Sequence, residues 1–157
     1  MFQEKIILFE EKDTYKIGSL LAKHATEGDV ITLSGILGSG KTTLVRGFIR
    51  EAGINDPIPS PTFTIIQTYN SNLGEILHID AWRLEDVNDT LELGIEDAMD
   101  KSIILLEWPE KIHQILPENR LQINLCILQN YRVASFSASN FWKERLKIAL
   151  SEYNYKN

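Results

Sequence analysis

Cysteine is almost missing from this chain: Cys126 is the only one among 157 residues. No internal disulfide framework is therefore possible, and packing has to hold the fold. Long apolar runs are missing too. No stretch reaches the roughly 18 consecutive apolar residues that a membrane-spanning helix needs, and no signal-peptide pattern appears. The expectation is a cytosolic protein that meets no membrane. Cations are scarce: 16 Lys and Arg stand against 22 Asp and Glu, a formal net charge of −6. That balance argues against stable nucleic-acid binding by this chain alone, which needs cations to neutralise phosphates. It leaves open a nucleic acid bound jointly with another protein. Repeats and low-complexity tracts are absent. Cys126 itself lies in the apolar run LQINLCIL and reads as a buried strand residue.

What is present suits one domain spanning 1–157, with 43% hydrophobic and 24% charged residues. Three of its nine glycines, Gly35, Gly38 and Gly40, fall in the single stretch GILGSGKT, which fits the phosphate-binding loop pattern Gly-x4-Gly-Lys-Thr. The β-branched run from Asp29 to Ser34 before it reads as a buried strand. After it, Leu44, Val45, Phe48 and Ile49 recur at helical spacing and Gly53 stands as a C-terminal stop. Strand, glycine loop and helix are the setting the motif requires. The glycines let successive N–H groups turn toward an anion, and a helix starting at about Lys41 adds its positive end. Lys41 then reaches the β- and γ-phosphates and the Thr42 hydroxyl holds Mg2+. A nucleoside triphosphate is the expected ligand.

Elsewhere, Lys5–Phe9 reads as a strand, and Asp13 as the N-cap of a helix with the stripe Ile17, Leu20 and Leu21. Pro57, Pro59 and Pro61 break any helix before the strand-like run FTIIQTY. A turn over 70–74 returns the chain as a second strand, 75–80. The acidic segment 85–99 is helical with a break at Gly94, and 102–107 looks like a central parallel strand. A short helix follows Pro109, then a hairpin of 120–128 and 131–139, then a helix carrying Phe141, Leu146, Ile148 and Leu150. These elements predict a three-layer α/β sheet, parallel at its centre with antiparallel hairpin additions, and a ligand at the carboxyl ends of the strands.

A phosphate loop also needs a carboxylate for the metal shell and a group to position the attacking water. Glu107, ending ILLE, is either that metal ligand or a solvent-facing residue just past a strand. Asp80, ending HID, is either a group acting near the metal or water, or part of a surface turn. Thr62 and Thr64 are either a switch over the γ-phosphate or ordinary strand residues. His78 and His113 lack metal-ligand partners in sequence and read as structural, and Trp108, bulky beside the site, is either simply buried or packed near the nucleotide.

Taken in order, GILGSGKTT, SPTFT, HIDAWRL, ELGIED and LLEWPEKI closely resemble the TsaE (YjeE) family, P-loop ATPases of bacterial tRNA threonylcarbamoyladenosine synthesis, over roughly residues 5–135. The resemblance implies binding of ATP or ADP with Mg2+, slow intrinsic hydrolysis, and association with the TsaD and TsaB proteins. Through that complex it implies indirect contact with tRNAs reading codons that begin with A. It also implies site roles. Gly38, Ser39, Gly40, Lys41, Thr42 and Thr43 hold the nucleotide, and Lys41, Asp80 and Glu107 act on the γ-phosphate. Thr42 and Glu107 bind the metal, and Glu11 and Arg132 add nucleotide contacts. The chain departs from the family at Ile36, Ser39 and Trp82, where acidic, alanine and tyrosine residues are more usual. Three other function classes share the loop. A small-molecule kinase would bring an arginine lid, which does not appear. A GTPase would carry Asn-Lys-x-Asp, which is absent, and a scaffold with a vestigial loop fits poorly with an intact Lys41-Thr42.

Overall fold

The computed structural model describes residues 1–156, and these build a seven-stranded mixed sheet with helices on both faces. In chain order the elements are β1 (Phe2–Leu8), α1 (Glu11–Ala22), β2 (Val30–Ser34), α2 (Lys41–Glu51), β3 (Ile66–Ser71) and β4 (Gly74–Asp80). Then come α3 (Val87–Glu92), α4 (Ile95–Met99), β5 (Ile103–Glu107), β6 (Leu121–Leu128), β7 (Tyr131–Ala138) and α5 (Asn140–Lys156). Short 3-10 turns occupy Ala81–Arg83, Pro109–Lys111 and His113–Ile115.

Strand order is β1-β7-β6-β2-β5-β4-β3. The centre is parallel, because β2 pairs in parallel with both β5 and β6 and β4 with β5, while β3, β7 and β1 add antiparallel edges. This is the expected three-layer α/β architecture. β5 is buried at all five positions, as a strand covered on both faces must be. One apolar core joins the sheet to α1, α2 and α5; a second lies on the opposite face under α4 and the 3-10 turns. Among the described residues no helix is long and apolar enough to cross a membrane.

α2 supplies four fully buried side chains, Leu44, Val45, Phe48 and Ile49, each worth about 1.5–3 kcal/mol of transfer free energy. Its crossing with α1 is unusually close. A Cβ at Gly18 would collide with the Leu44 carbonyl oxygen, and one at Gly47 with the Tyr15 carbonyl oxygen. Each helix thus presents a glycine to the other's backbone.

Several expectations need correction. Asp13 does not cap α1 from outside; Glu10 is the N-cap, and Asp13, one turn in, accepts from the Phe9 and Glu10 N–H groups at 3.0 and 2.9 Å. β1 starts at Phe2, ahead of the expected Lys5, because its pairing with β7 begins at Ala138. The run FTIIQTY is not all strand: Phe63 is exposed in a turn, Ile65 adopts φ 68°, and β3 begins at Ile66. Cys126 is exposed, not buried. Along β6, Leu121, Ile123 and Leu125 face the helices, so the two-residue period of a strand turns Cys126 to the other face, which is open there. In α5 the buried stripe is Trp142, Leu146, Ala149, Leu150 and Tyr153, which leaves Phe141 and Ile148 exposed.

Candidate functional site

β2 ends at Ser34 and the chain turns through Gly35, Gly38 and Gly40, all with positive φ (142°, 79° and 106°). At Gly35 the need is also steric, since a Cβ would lie 2.5 Å from the Leu125 carbonyl oxygen. Gly40 is the N-cap of α2 and brings no side chain to its first N–H groups, which keeps them and the positive helix end available to an anion.

The loop, the start of α2 and the carboxyl ends of β4 and β5 enclose a cavity of about 330 Å3. Parallel register explains the convergence. Asp80 pairs with Glu107 across β4 and β5, so both carboxylates arrive at one end of the sheet, facing the glycine loop that follows β2. Lys41 is buried, with Nζ donating to the carbonyls of Gly35 (2.6 Å) and Ile36 (3.1 Å) and lying 4.0 Å from the Trp108 ring centroid. Burial lowers its pKa from the usual lysine value, and the carboxylates of Glu107, Asp80 and Glu110 oppose that shift. The Thr42 hydroxyl donates to Glu107 Oε1 at 2.9 Å. Asp80 accepts from the Thr62 hydroxyl at 3.1 Å and from the Trp82 backbone N–H at 2.9 Å.

Of the residues expected to hold nucleotide or metal or to act in catalysis, all except Ser39 line this cavity: Glu11, Gly38, Gly40, Lys41, Thr42, Thr43, Asp80, Glu107 and Arg132. Ser39 lies beneath the loop. Its side chain is wholly buried, and its backbone N–H closes a turn onto the Ile36 carbonyl. Glu11 accepts from the Thr43 hydroxyl at 3.4 Å, and Arg132 reaches over the loop to the Gly38 carbonyl at 3.3 Å. Of the two threonines weighed as a switch, Thr62 lines the cavity, whereas Thr64 accepts from the Gln67 side chain outside it.

Two contributors are not fixed by the sequence reading. His78, read as merely structural, is wholly buried with Nε2 2.8 Å from Glu107 Oε1. The signal was the i, i+2 spacing of HID, which puts His78 and Asp80 on one face of a strand. Trp108, open in sequence to burial or to packing near the nucleotide, lines the cavity in a left-handed conformation (φ 61°), covers Lys41 and packs against Trp82 with ring centroids 4.5 Å apart.

The donors are hard oxygens, one hydroxyl and one carboxylate side by side. Among the described residues no cluster of three or more His, Cys, Asp or Glu forms a ready metal cage. Such a sparse oxygen pair suits Mg2+, which keeps its waters and shares phosphate oxygens with few protein ligands. Arg132 Nε and Thr14 Oγ1, both on residues lining the cavity, are buried without a hydrogen-bond partner among the described residues, as fits a site that receives a polar ligand.

Comparison with known proteins gives the family and the fold. A family model described as threonylcarbamoyl adenosine biosynthesis protein TsaE matches residues 8–134. The TsaE protein of Rickettsia felis is 39% identical over 132 residues, 83% of this chain and 77% of that protein. That of Bacillus subtilis is 42% identical over 113 residues, covering 71% and 70% of the two chains. The crystal structure of Bacillus subtilis YdiB superposes with a TM-score of 0.80 at 31% identity and covers 96% of each chain. The chain belongs to the TsaE family of threonylcarbamoyl adenosine biosynthesis proteins.

Proposed function

We propose that this chain binds ATP with Mg2+ and hydrolyses it slowly, in support of a TsaD–TsaB pair that forms threonylcarbamoyladenosine beside the anticodon of tRNAs reading codons that begin with A. The observation that carries the reading is the convergence of Lys41, Thr42 and Glu107 in one cavity at the strand ends. The loop N–H groups and the N-terminus of α2 cradle the phosphates. Lys41, already held at the loop mouth by two carbonyls, presents its ammonium where charge accumulates on the leaving and transferred groups. Thr42 and Glu107 are the residues to hold Mg2+, which when bound neutralises phosphate oxygens. Asp80, which accepts from Thr62 and the Trp82 N–H, is the group proposed to orient the attacking water. Glu11 and Arg132, which line the cavity beside Thr43 and Gly38, are the residues for further nucleotide contacts. A cytoplasmic location suits a role in tRNA modification.

The deciding experiment measures ATP hydrolysis by the purified protein, first alone and then with TsaD, TsaB and tRNA. Slow turnover that the assembled partners strongly stimulate is expected. Absence of stimulation, with phosphate appearing on a small acceptor, would replace this reading with a kinase.

A further inference from the structure

His78 has no part in the chemistry above and does not line the cavity, yet it is wholly buried on β4 with its side chain turned to the site. An ionised carboxylate only accepts hydrogen bonds, so His78 Nε2 carries the proton and donates it to Glu107 Oε1 at 2.8 Å. Nδ1 has no partner among the described residues, which leaves the Glu107 bond as the polar anchor of this imidazole. A side chain needed only to fill the space would be apolar, because burying an imidazole costs free energy that a hydrogen bond must offset.

The register gives the contact its direction. His78 pairs with Leu105 and Asp80 with Glu107, so His78 sits one step behind the carboxylate and reaches it diagonally. Glu107 Oε1 then accepts from both His78 (2.8 Å) and the Thr42 hydroxyl (2.9 Å). The Thr42 hydroxyl also lies 3.2 Å from Oε2, so Thr42 across both oxygens and His78 on Oε1 together restrict rotation of the carboxylate.

We propose that His78 is a positioning residue, its Nε2–H holding the Glu107 carboxylate in the orientation that completes a Mg2+ site with Thr42. This rests on the ATP–Mg2+ reading above. The test compares three variants by the affinity of a non-hydrolysable ATP analogue in EDTA and by the Mg2+ concentration that half-maximally tightens its binding. His78→Met fills similar volume with no donor. His78→Gln ends its amide near the position of Nε2, and His78→Asn ends it about where Nδ1 stands. Loss of an outer partner of a metal ligand typically lowers metal affinity on the order of 10–100-fold. The half-maximal Mg2+ concentration should therefore rise about tenfold or more in His78→Met and His78→Asn. It should return to within about threefold of the parent in His78→Gln, with affinity in EDTA nearly unchanged throughout. Thermal unfolding checks each fold, and the Gln–Asn pair carries the test if the Met variant fails to fold. Parental Mg2+ dependence in His78→Met, or equal defects in Gln and Asn, would reduce His78 to a packing residue. A parent whose analogue binding ignores Mg2+ would remove the ATP–Mg2+ reading itself, and the inference with it.

Discussion

Glu107 concentrates the residue-scale physics of this site: one buried carboxylate accepts from Thr42 and His78 while lining the cavity. Its strand-end placement made it legible as a candidate, whereas its partners lie 65 and 29 residues away and could not be read locally. Glu107→Ala should lower Mg2+-dependent ATP turnover by on the order of 100-fold while leaving Mg2+-free nucleotide binding largely intact. Equal loss of both, measured by hydrolysis and calorimetry side by side, would indicate a folding defect instead. Ser39 offers the converse case. Its hydroxyl is buried without a partner among the described residues, and an unsatisfied buried group costs about 1–3 kcal/mol. Ser39→Ala should therefore stabilise the protein by about 1 kcal/mol, seen as a higher midpoint in urea unfolding. A lower midpoint would mean that the hydroxyl has a partner in solution.

At the scale of elements, α1 and α2 cross in close backbone contact beneath the phosphate loop. The stripes of both helices follow the expected periodicity, and the apolar residues that spacing picks out are all buried. The reciprocal approach at Gly18 and Gly47 was not legible, since a glycine in a helix looks the same whether it faces water or a neighbouring backbone. Gly47→Ala would drive a methyl into the Tyr15 carbonyl and force the helices apart. A loss of about 1–3 kcal/mol is expected in spite of alanine's better helix propensity. Chemical denaturation decides the sign, and a stabilised variant would mean that the helices separate at little cost.

At the scale of the whole molecule, pH couples the site to stability. Burial lowers the pKa of Lys41 from 10.5, so the unfolded chain binds that proton more tightly than the folded one. In the ligand-free protein, stability from this group therefore rises with pH over the window between the lowered folded value and 10.5. Tyr69 works the other way: burial raises its pKa above 10.0, so its contribution falls as pH climbs through 10.0. Relative to Lys41→Met, the parent should gain stability between about pH 8 and about pH 10, as urea unfolding at both values would show. A pH-independent difference would place Lys41 in solvent.

Local sequence is enough to specify the glycine loop, the helix that follows it and the carboxylates that end β4 and β5. Each of these depends on turn chemistry or apolar spacing within about a dozen neighbouring residues. Tertiary structure alone decided the rest. It brought His78 onto Glu107, laid Arg132 over Gly38 and turned Cys126 to the open face of β6. Those outcomes depend on strand register and on which face of the sheet the helices cover, and both are fixed only when distant segments pack.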